Sequence, residues 1–279
     1  MSEADAVARV HLPATVESLA AELAELGVRA GDVLLVHSSL SALGWVAGGA
    51  VAVIEALEHA LGGEGTLVMP AFSTDLSDPS RWQHPPVPRG WWPVIREHLP
   101  AFDPRRTPTR AMGAIAELFR TLPGVLRSDH PTASFAAAGP RAAELTREQP
   151  LEDPLGEDSP LGRLHELGAR VLLLGVGHDR NTSLHLAERR AFRHRQALDH
   201  TGSPLLRGGA RRWVEFTTPA VWSDDFAALG AAFEADPRRV RLGAIGAGTG
   251  RLLAQRELVD FGAEWLAQHR LADGRPASG

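Results

Sequence analysis

The sequence predicts a single α/β domain built on a parallel or mixed β-sheet with flanking helices. Two observations lead to this prediction. Apolar runs of strand length alternate with amphipathic helical segments, as in βαβ units. The chain has 279 residues, 44% of them hydrophobic, and no linker, repeat or low-complexity segment divides it. We therefore expect one domain over residues 1–279, with its core at about 13–270 and a mobile tail at 271–279.

The first half of the chain contains a complete strand–helix–strand unit. Residues 13–27, PATVESLAAELAELG, predict an amphipathic helix that Thr15 caps and Gly27 ends. DVLLVHS predicts a buried strand, after which a loop leads to the helix AVAVIEALEHALGG and the strand TLVMPAF. The segment 73–93 contains five prolines and three tryptophans. Because disordered segments contain few aromatic residues, we expect this segment to be an ordered functional loop.

The second half continues the alternation of strands and helices. SFAAAG and RVLLLGV predict strands, and GAIGAGTGR predicts a turn, because its third glycine is misplaced for a dinucleotide-binding loop. A last helix is predicted over about 250–270, with Leu252 and Leu253 in the core. Four further helices are predicted at 113–122, 140–148, 159–167 with Ser159 as its cap, and 224–235.

The composition excludes several classes of chemistry. The chain contains no cysteine, which excludes disulfides, cysteine zinc sites and a thiolate nucleophile. All 29 basic side chains are arginine, so no lysine Schiff base can form. The net charge of −5 argues against a nucleic-acid partner. Without a long apolar run or a basic-then-apolar N-terminus, we expect no membrane partner and a cytoplasmic location.

Two segments contain groups suited to phosphate. HSSLSALGWVAGG, residues 37–49, links a strand to a helix, where free backbone N–H groups can bind a phosphate or pyrophosphate. An ordinary βα loop is the alternative interpretation. The segment 107–139 brings Arg110, Arg120 and Arg127 close in sequence, either for phosphate or for structural salt bridges. The same segment contains His130, whose role the sequence leaves open.

The segment GVGHDRNTSLHLAER, residues 175–189, follows a buried strand and opens a helix. If the helix starts at Thr182, His185 and Glu188 lie three residues apart on one face. A carboxylate beside an imidazole orients the ring and raises its basicity, as a general base requires. A histidine packed in the core is one alternative. A metal site that adds His178 and Asp179 is the other, although HxxE lacks the spacing of HExxH.

Together these segments resemble the aminoglycoside 3-N-acetyltransferase family. The resemblance covers about residues 13–268 and rests on LLVHSSLSALGWVAGGA, GTLVMPAF, TPTRAMGAIAELFR, RSDHPTASFAAAG and DSPLGRLHELGARVLLLGVGHDRNTSLHLAE. It implies transfer of acetyl from acetyl-CoA to the 3-amino group of the 2-deoxystreptamine ring of aminoglycosides. It also implies one α/β domain with a mixed sheet, and not the GNAT fold. Segments 73–93 and 193–223 look particular to this chain, and we expect these loops to shape the acceptor pocket.

The resemblance also implies roles for individual residues. His185 is the implied base, with Glu188 and Asp75 as acidic partners, and Asp78 competes with Asp75 for this role. The residues expected to bind acetyl-CoA are His37, Ser38, Ser39, Leu40, Ser41, Thr107, Arg110, Met112 and Gly113. The residues expected to bind the ammonium groups of the drug are Asp75, Asp78, Asp179 and Glu188, with Glu152 and Asp153 as solvated loop residues or further members.

The implied mechanism is direct transfer without an acetyl-enzyme and without a metal. Backbone donors near residues 38–41 are expected to stabilise the oxyanion. We expect the protein to be a monomer or a homodimer. The alternatives are an N-acetyltransferase for a different amine, a CoA-binding protein without turnover, and a metal hydrolase built on His178, Asp179 and His185.

Overall fold

The computed structural model of the chain describes residues 3–277. Its centre is a seven-stranded mixed sheet with the strand order β3-β4-β2-β1-β5-β9-β8. The strands of this sheet are β1 (Val33–Ser38), β2 (Thr66–Pro70), β3 (Leu126–Arg127), β4 (Phe135–Ala138), β5 (Arg170–Leu174), β8 (Val240–Ile245) and β9 (Gly248–Ala254), while β6 (Leu198–Arg207) and β7 (Ala210–Pro219) form a separate hairpin.

The three central strands are parallel, because β1 pairs in parallel with both β2 and β5. The outer strands are antiparallel to their inner neighbours: β4 to β2, and β9 to β5. Burial on both faces explains the uninterrupted apolar sequences of β1, β2 and β5. The predicted α/β class with a mixed sheet is confirmed.

Helices cover both faces of the sheet. One core contains side chains of α2, α3 and α5, and the other contains side chains of α6 to α10. The helices are α1 (Glu3–Ala8), α2 (Val16–Leu26), α3 (Gly49–Leu61), α4 (Trp92–His98), α5 (Gly113–Phe119), α6 (Ala142–Thr146), α7 (Pro160–Glu166), α8 (Ser183–Phe192), α9 (Phe226–Glu234) and α10 (Gln255–His269).

Local signals in the sequence correctly predict several helix ends. Thr15 and Ser18 form a capping box at the start of α2, and Gly27 ends the helix with φ of 102°, a left-handed conformation that suits glycine. Ser159 caps α7 by accepting a hydrogen bond from the N–H of Leu161.

The long helix predicted over 250–270 is wrong in its first part. Residues 248–254 form β9, which pairs with β5 on one side and β8 on the other. Leu252 and Leu253 are buried as sheet residues on opposite faces. The glycine-rich segment is therefore the β8–β9 hairpin turn, in which Gly246 has φ of 54°.

The segments expected to be variable loops contain regular structure. The segment 193–223 holds the β6–β7 hairpin, in which ten residue pairs are in register. The segment 73–93 forms three single turns of 3₁₀ helix before α4.

Residues at both ends of the chain, outside the predicted core of 13–270, also contact the rest of the protein. In α1, Ala6 is buried. Within the tail, the carbonyl of Asp273 accepts a hydrogen bond from Ala197, and the N–H of Leu271 donates one to the carbonyl of Arg275. The expected mobility of the tail stays a prediction. Residues 278 and 279 lie outside the described part of the chain. No helix between residues 3 and 277 is long and apolar enough to cross a membrane.

Candidate active site

A cavity of about 760 Å³ opens at the carboxyl edge of the parallel strands. The ends of β1 and β2 contribute His37, Ser38 and Pro70, and Val176 follows β5. In open α/β sheets this edge is where ligands bind, because the loops that follow parallel strands converge there. The loop that follows β1 and the loop that follows β5 therefore line the same cavity.

Most of the residues expected to bind acetyl-CoA line this cavity. They are His37, Ser38, Ser39, Leu40, Ser41, Met112 and Gly113. Thr107 and Arg110 are not among the residues that line it, and whether they contact acetyl-CoA stays a prediction. The hydroxyl of Thr107 accepts a hydrogen bond from Asp103 at 3.0 Å. The side chain of Arg110 lies beside Asp75 at 3.5 Å.

Sequence reasoning missed several lining residues, among them Trp45, Arg180 and Thr182. The N-terminus of α3 also reaches the cavity, at Gly49. Its N-cap is Gly48, which has no side chain to bind the first N–H groups of the helix. The N–H of Gly49 itself donates to the carbonyl of Val46 at 3.0 Å, so this helix start presents the positive end of the helix dipole, and not that N–H group, to an anion.

One expected oxyanion donor is already occupied. The N–H of Ser39 donates to the carbonyl of Leu174 at 2.9 Å, at the junction of β1 and β5. Ser39 therefore drops out of the set of backbone donors expected between residues 38 and 41. Its hydroxyl lies 3.3 Å from that of Ser41.

His185 lies in the first turn of α8, which begins at Ser183 with Thr182 as its N-cap. Its Nδ1 is 2.5 Å from Oε2 of Glu188, and its side chain is 13% exposed. A carboxylate accepts hydrogen bonds only, so this contact places a proton on Nδ1 and leaves the lone pair of the neutral ring on Nε2. No hydrogen bond to Nε2 is formed within residues 3–277, so this nitrogen is able to accept a proton.

Glu188 is completely buried and accepts three hydrogen bonds. Oε2 binds His185, while Oε1 accepts from Nη1 of Arg270 and from the N–H of Trp222. Burial acts to raise the pKa of Glu188, but the charges and hydrogen bonds of His185 and Arg270 hold that pKa below its ordinary value. Glu188 is therefore a carboxylate in the resting protein.

His37 is among the residues that line the cavity, whereas His185 is not, and the chemistry of the two histidines differs. Burial, together with the neighbouring His178 and His185, lowers the pKa of His37 to about 3. Its Nε2 lies 3.4 Å from the hydroxyl of Thr182. His37 is thus a neutral side chain in the cavity wall and too weak a base to take a proton from an ammonium group.

The two aspartates expected to assist His185 are paired elsewhere. Asp75 lies beside Arg110, and its side chain is 61% exposed. Asp78 is buried and accepts two hydrogen bonds from Arg96, at 2.8 and 2.9 Å, so both of its oxygens already have a protein partner. Its expected contact with the acceptor stays a prediction. Among the described residues, Glu188 is the carboxylate that holds the ring of His185. Whether Asp75 contacts the acceptor stays a prediction.

Two further acidic residues of the predicted substrate cleft, Asp179 and Asp153, also lie beside arginines. Asp179 is 3.1 Å from Arg180. Asp153 is 2.8 Å from Arg189. These pairs arise from tertiary contacts or local turns that the charge count alone does not predict.

Glu152 lies in a second cleft, of about 1290 Å³. Burial raises the pKa of Asp129, another of its lining residues. The carboxylates that line it are Asp103, Asp129, Glu148, Glu152, Glu157, Asp158 and Glu166, and the arginines are Arg105, Arg147, Arg163 and Arg207. Carboxylates outnumber arginines in this cleft, and of these carboxylates only Glu152 was expected to bind the drug.

Two arginines of the segment 107–139 are structural, as the alternative interpretation predicted. Arg120 is paired with Glu117. Arg127 donates to the carbonyls of Ala71 and Thr107, each at 2.6 Å, and so ties the loops after β2 and α4 together. Burial is the main reason that the pKa of Arg127 falls to about 10.

His178 is occupied by protein partners. Its Nε2 lies 3.0 Å from Glu234, and its Nδ1 lies 3.4 Å from the amide nitrogen of Asn181. Within residues 3–277, no three histidine, aspartate or glutamate side chains are grouped as metal ligands. The structure therefore does not assemble His178, Asp179 and His185 as the metal site of the alternative interpretation.

Comparison with known proteins gives one consistent family. Residues 35–267 match the family model described as aminoglycoside 3-N-acetyltransferase. A prophage-derived aminoglycoside N(3′)-acetyltransferase-like protein of Bacillus subtilis is 45% identical over 91% of this chain and 93% of its own. Aminoglycoside N(3)-acetyltransferase VIII of Streptomyces fradiae is 35% identical over 95% of this chain and 96% of its own.

Solved structures agree with the sequence comparison. The binary complex of AAC-IIIb with CoASH is 34% identical, with a TM-score of 0.81 over 92% of this chain and 97% of that chain. The room-temperature structure of sisomicin-bound AAC-VIa is 32% identical, with a TM-score of 0.83 over 93% of this chain and 100% of that chain.

Proposed function

The chain belongs to the aminoglycoside 3-N-acetyltransferase family of acyltransferases, and from this premise we propose that it acetylates the 3-amino group of a 2-deoxystreptamine aminoglycoside with acetyl-CoA as donor. The observation that carries the proposal is the His185–Glu188 pair, set at the carboxyl edge of the sheet beside a cavity with an uncapped helix start. Structures of relatives with CoASH and with sisomicin support both substrates.

The cavity fits the chemistry of CoA. Val46 and Met112 provide apolar wall for the pantetheine arm, and Ser38 to Ser41 provide hydroxyl and amide groups. The uncapped start of α3 at Gly49 and the guanidinium of Arg180 suit the negative charge of the phosphates. When bound, acetyl-CoA supplies the thioester carbonyl that the amine attacks.

His185 has the geometry of the general base. An aminoglycoside arrives as a polycation, and its 3-ammonium must lose a proton before the nitrogen can attack the carbonyl. Nε2 of His185 takes a proton from this nitrogen, and the adjacent Glu188 carboxylate stabilises the resulting imidazolium. As the carbon–nitrogen bond forms, the carbon–sulfur bond breaks and CoA leaves as the thiol, with the proton returned from the His185 imidazolium; the other proton of the former ammonium goes to solvent. Phe226 packs against the ring of His185 at a centroid distance of 5.0 Å and restricts its rotation.

Transfer is direct in this proposal. The chain has no cysteine, and so no acetyl-thiolate enzyme can form. In this proposal both substrates are bound together, which predicts sequential kinetics with no acetyl-enzyme to isolate. Parallel lines in double-reciprocal plots, together with a mass increase of the protein alone in acetyl-CoA, would contradict this.

A second candidate, acetylation of a different amine, is favoured by one observation. Asp75, Asp78 and Asp179 were expected to bind the ammonium groups of the drug, but each lies beside an arginine. Such pairing lowers the negative potential available to a polycation. The class of acceptor amine therefore distinguishes the two candidate functions.

The test is thiol release from acetyl-CoA with a panel of amines. The panel contains 2-deoxystreptamine aminoglycosides, the same drugs already acetylated at the 3-amino group, and amino sugars without the ring. We expect turnover only with the unmodified aminoglycosides, and NMR of the product should show the acetyl group on N3. Turnover of the blocked drugs or of the simple amino sugars would favour the second candidate.

A further inference from the structure

Arg270 lies immediately after α10 and is buried, although its side chain carries a charge. Its side chain is 0% exposed. All three nitrogens of the guanidinium have acceptors: Nε binds Asp225 at 2.7 Å, Nη2 binds the carbonyl of Trp222 at 3.0 Å, and Nη1 binds Glu188 and, at 3.3 Å, the carbonyl of Gly274. A buried charge persists only with such complete pairing, so this arrangement is a specific feature of the fold.

The guanidinium acts on His185 through a shared carboxylate. Glu188 uses Oε2 for Nδ1 of His185 and Oε1 for Nη1 of Arg270. Because the two oxygens lie in one plane, a partner that fixes Oε1 also fixes the direction in which Oε2 points. The N–H of Trp222 holds Oε1 as well, at 3.2 Å.

Asp225 and Phe226 complete the connection between Arg270 and the ring of His185. Asp225 holds the side of Arg270 away from Glu188. The next residue, Phe226, has one of its faces 5.7 Å from the guanidinium of Arg270 and its centroid 5.0 Å from that of His185. Two consecutive residues at the start of α9 thus hold Arg270 and the ring of His185 in place.

We propose that Arg270 is a positioning residue of this active site, which fixes Glu188 against His185 and, together with Asp225, sets how strongly the His185–Glu188 pair holds a proton. The inference rests on the proposed function in that it treats His185 as the base. It adds a residue of the C-terminal segment that touches neither substrate nor the reacting atoms.

The electrostatics of the pair have a definite sign. The charged or titratable groups facing it are Arg270 from the end of α10, Asp225 behind Arg270, and His37 from β1, and the neutral groups are the N–H of Trp222 and the ring of Phe226. The positive charge of Arg270 opposes protonation of the pair. Removing the charge of Arg270 therefore raises the proton affinity of the His185–Glu188 pair. Removing the negative charge of Asp225 lowers that affinity.

The experiment measures the acid limb of the pH profile of kcat/KM for the wild type, Arg270→Gln and Asp225→Asn. We expect the limb to move up by about one pH unit in Arg270→Gln and down by about half a unit in Asp225→Asn. Arg270→Lys keeps the charge but loses the planar hydrogen bonds, so kcat should fall while the limb moves less than in Arg270→Gln. Arg275→Gln, which changes an exposed arginine of the same segment, should leave the profile unchanged.

A second measurement does not depend on turnover. NMR titration of the His185 ring in the free protein should show midpoints that move in the same two opposite directions. If the wild type acetylates no amine, the proposed function fails while this titration still tests the role of Arg270. If Arg270→Gln does not fold, the downward shift in Asp225→Asn decides. Midpoints that stay in place, or that move in the same direction in both folded variants, overturn the proposal.

Discussion

Replacing Glu188 with glutamine removes one charge and almost no volume from the site. The carboxylate accepts from three groups, the ring of His185, Arg270 and the N–H of Trp222. An amide that keeps its oxygen towards Arg270 and Trp222 must point its NH₂ at Nδ1 of His185. Nδ1 then becomes an acceptor, the ring proton moves to Nε2, and the nitrogen that should take the substrate proton is blocked.

The size of the effect follows from the distance between the charges. In the transition state His185 becomes an imidazolium whose charge lies about 4 Å from that of the carboxylate, an attraction of about 4 kcal/mol at an effective dielectric constant of about 20. Losing about 3 to 4 kcal/mol slows the chemical step by about 10²- to 10³-fold. Glu188 is 0% exposed, so we expect KM for either substrate to change little.

The assay is steady-state release of CoA from acetyl-CoA with an aminoglycoside acceptor, for Glu188→Gln beside Glu257→Gln. Glu257 is an exposed glutamate on α10 and serves as the matched control. Thermal unfolding of both variants shows whether they are folded. A folded Glu188→Gln protein whose kcat stays within about threefold of the wild type would contradict this prediction, because the carboxylate would then contribute nothing measurable to the base.

Three further predictions concern the surroundings of the site. The ring of His130 is buried with Nδ1 accepting two backbone N–H groups, and burial lowers its pKa to about 4. Unfolded histidine titrates near 6.5, so the stability that this neutral ring contributes is present above that pH and is lost as the pH falls through 4. In urea unfolding between pH 6.5 and 4, the wild type should therefore lose about 3 kcal/mol more than His130→Asn, and equal losses in the two proteins would contradict this. In Gly230→Ala the new Cβ would lie 2.2 Å from the ring of the buried His178. The free energy of unfolding in urea should therefore fall by about 1–3 kcal/mol. An unchanged free energy of unfolding would mean that the ring of His178 moves freely. Ala114 is exposed at the cavity wall, so a tryptophan there would occupy the cavity. Ala114→Trp should therefore raise KM for acetyl-CoA by about tenfold, whereas the control Ala21→Trp, on α2, should leave it unchanged. Equal effects of the two substitutions would mean that CoA binds elsewhere.

Local sequence signals predicted the parts of the molecule that depend on neighbouring residues. The helix 16–26, the strand 33–38 and the spacing of His185 and Glu188 all follow from patterns within one element. The pair was found because residues three apart on a helix face each other. The residues 37–41 and 112–113, which line the cavity, were expected at a ligand site because of the resemblance to the family.

Contacts between distant segments could not be predicted in this way. Arg270 lies 82 residues from Glu188, and nothing in the sequence near either residue indicates the pairing. Asp78 was a plausible partner for His185 until the fold brought Arg96 to it. Leu252 and Leu253 fitted the apolar spacing of a helix, but pairing with β5 and β8 decided for a strand, which is a tertiary effect that overrides local pattern.

The central claim is that His185 removes the proton of the acceptor amine. The most direct measurement is the rate of CoA release at saturating acetyl-CoA and aminoglycoside for His185→Ala, beside His200→Ala, which changes an exposed histidine on β6. We expect a loss in kcat of about 10²-fold or more for His185→Ala, with KM for acetyl-CoA unchanged and with normal activity in the control. If the folded His185→Ala protein instead keeps its kcat within about threefold of the wild type, His185 is not the base.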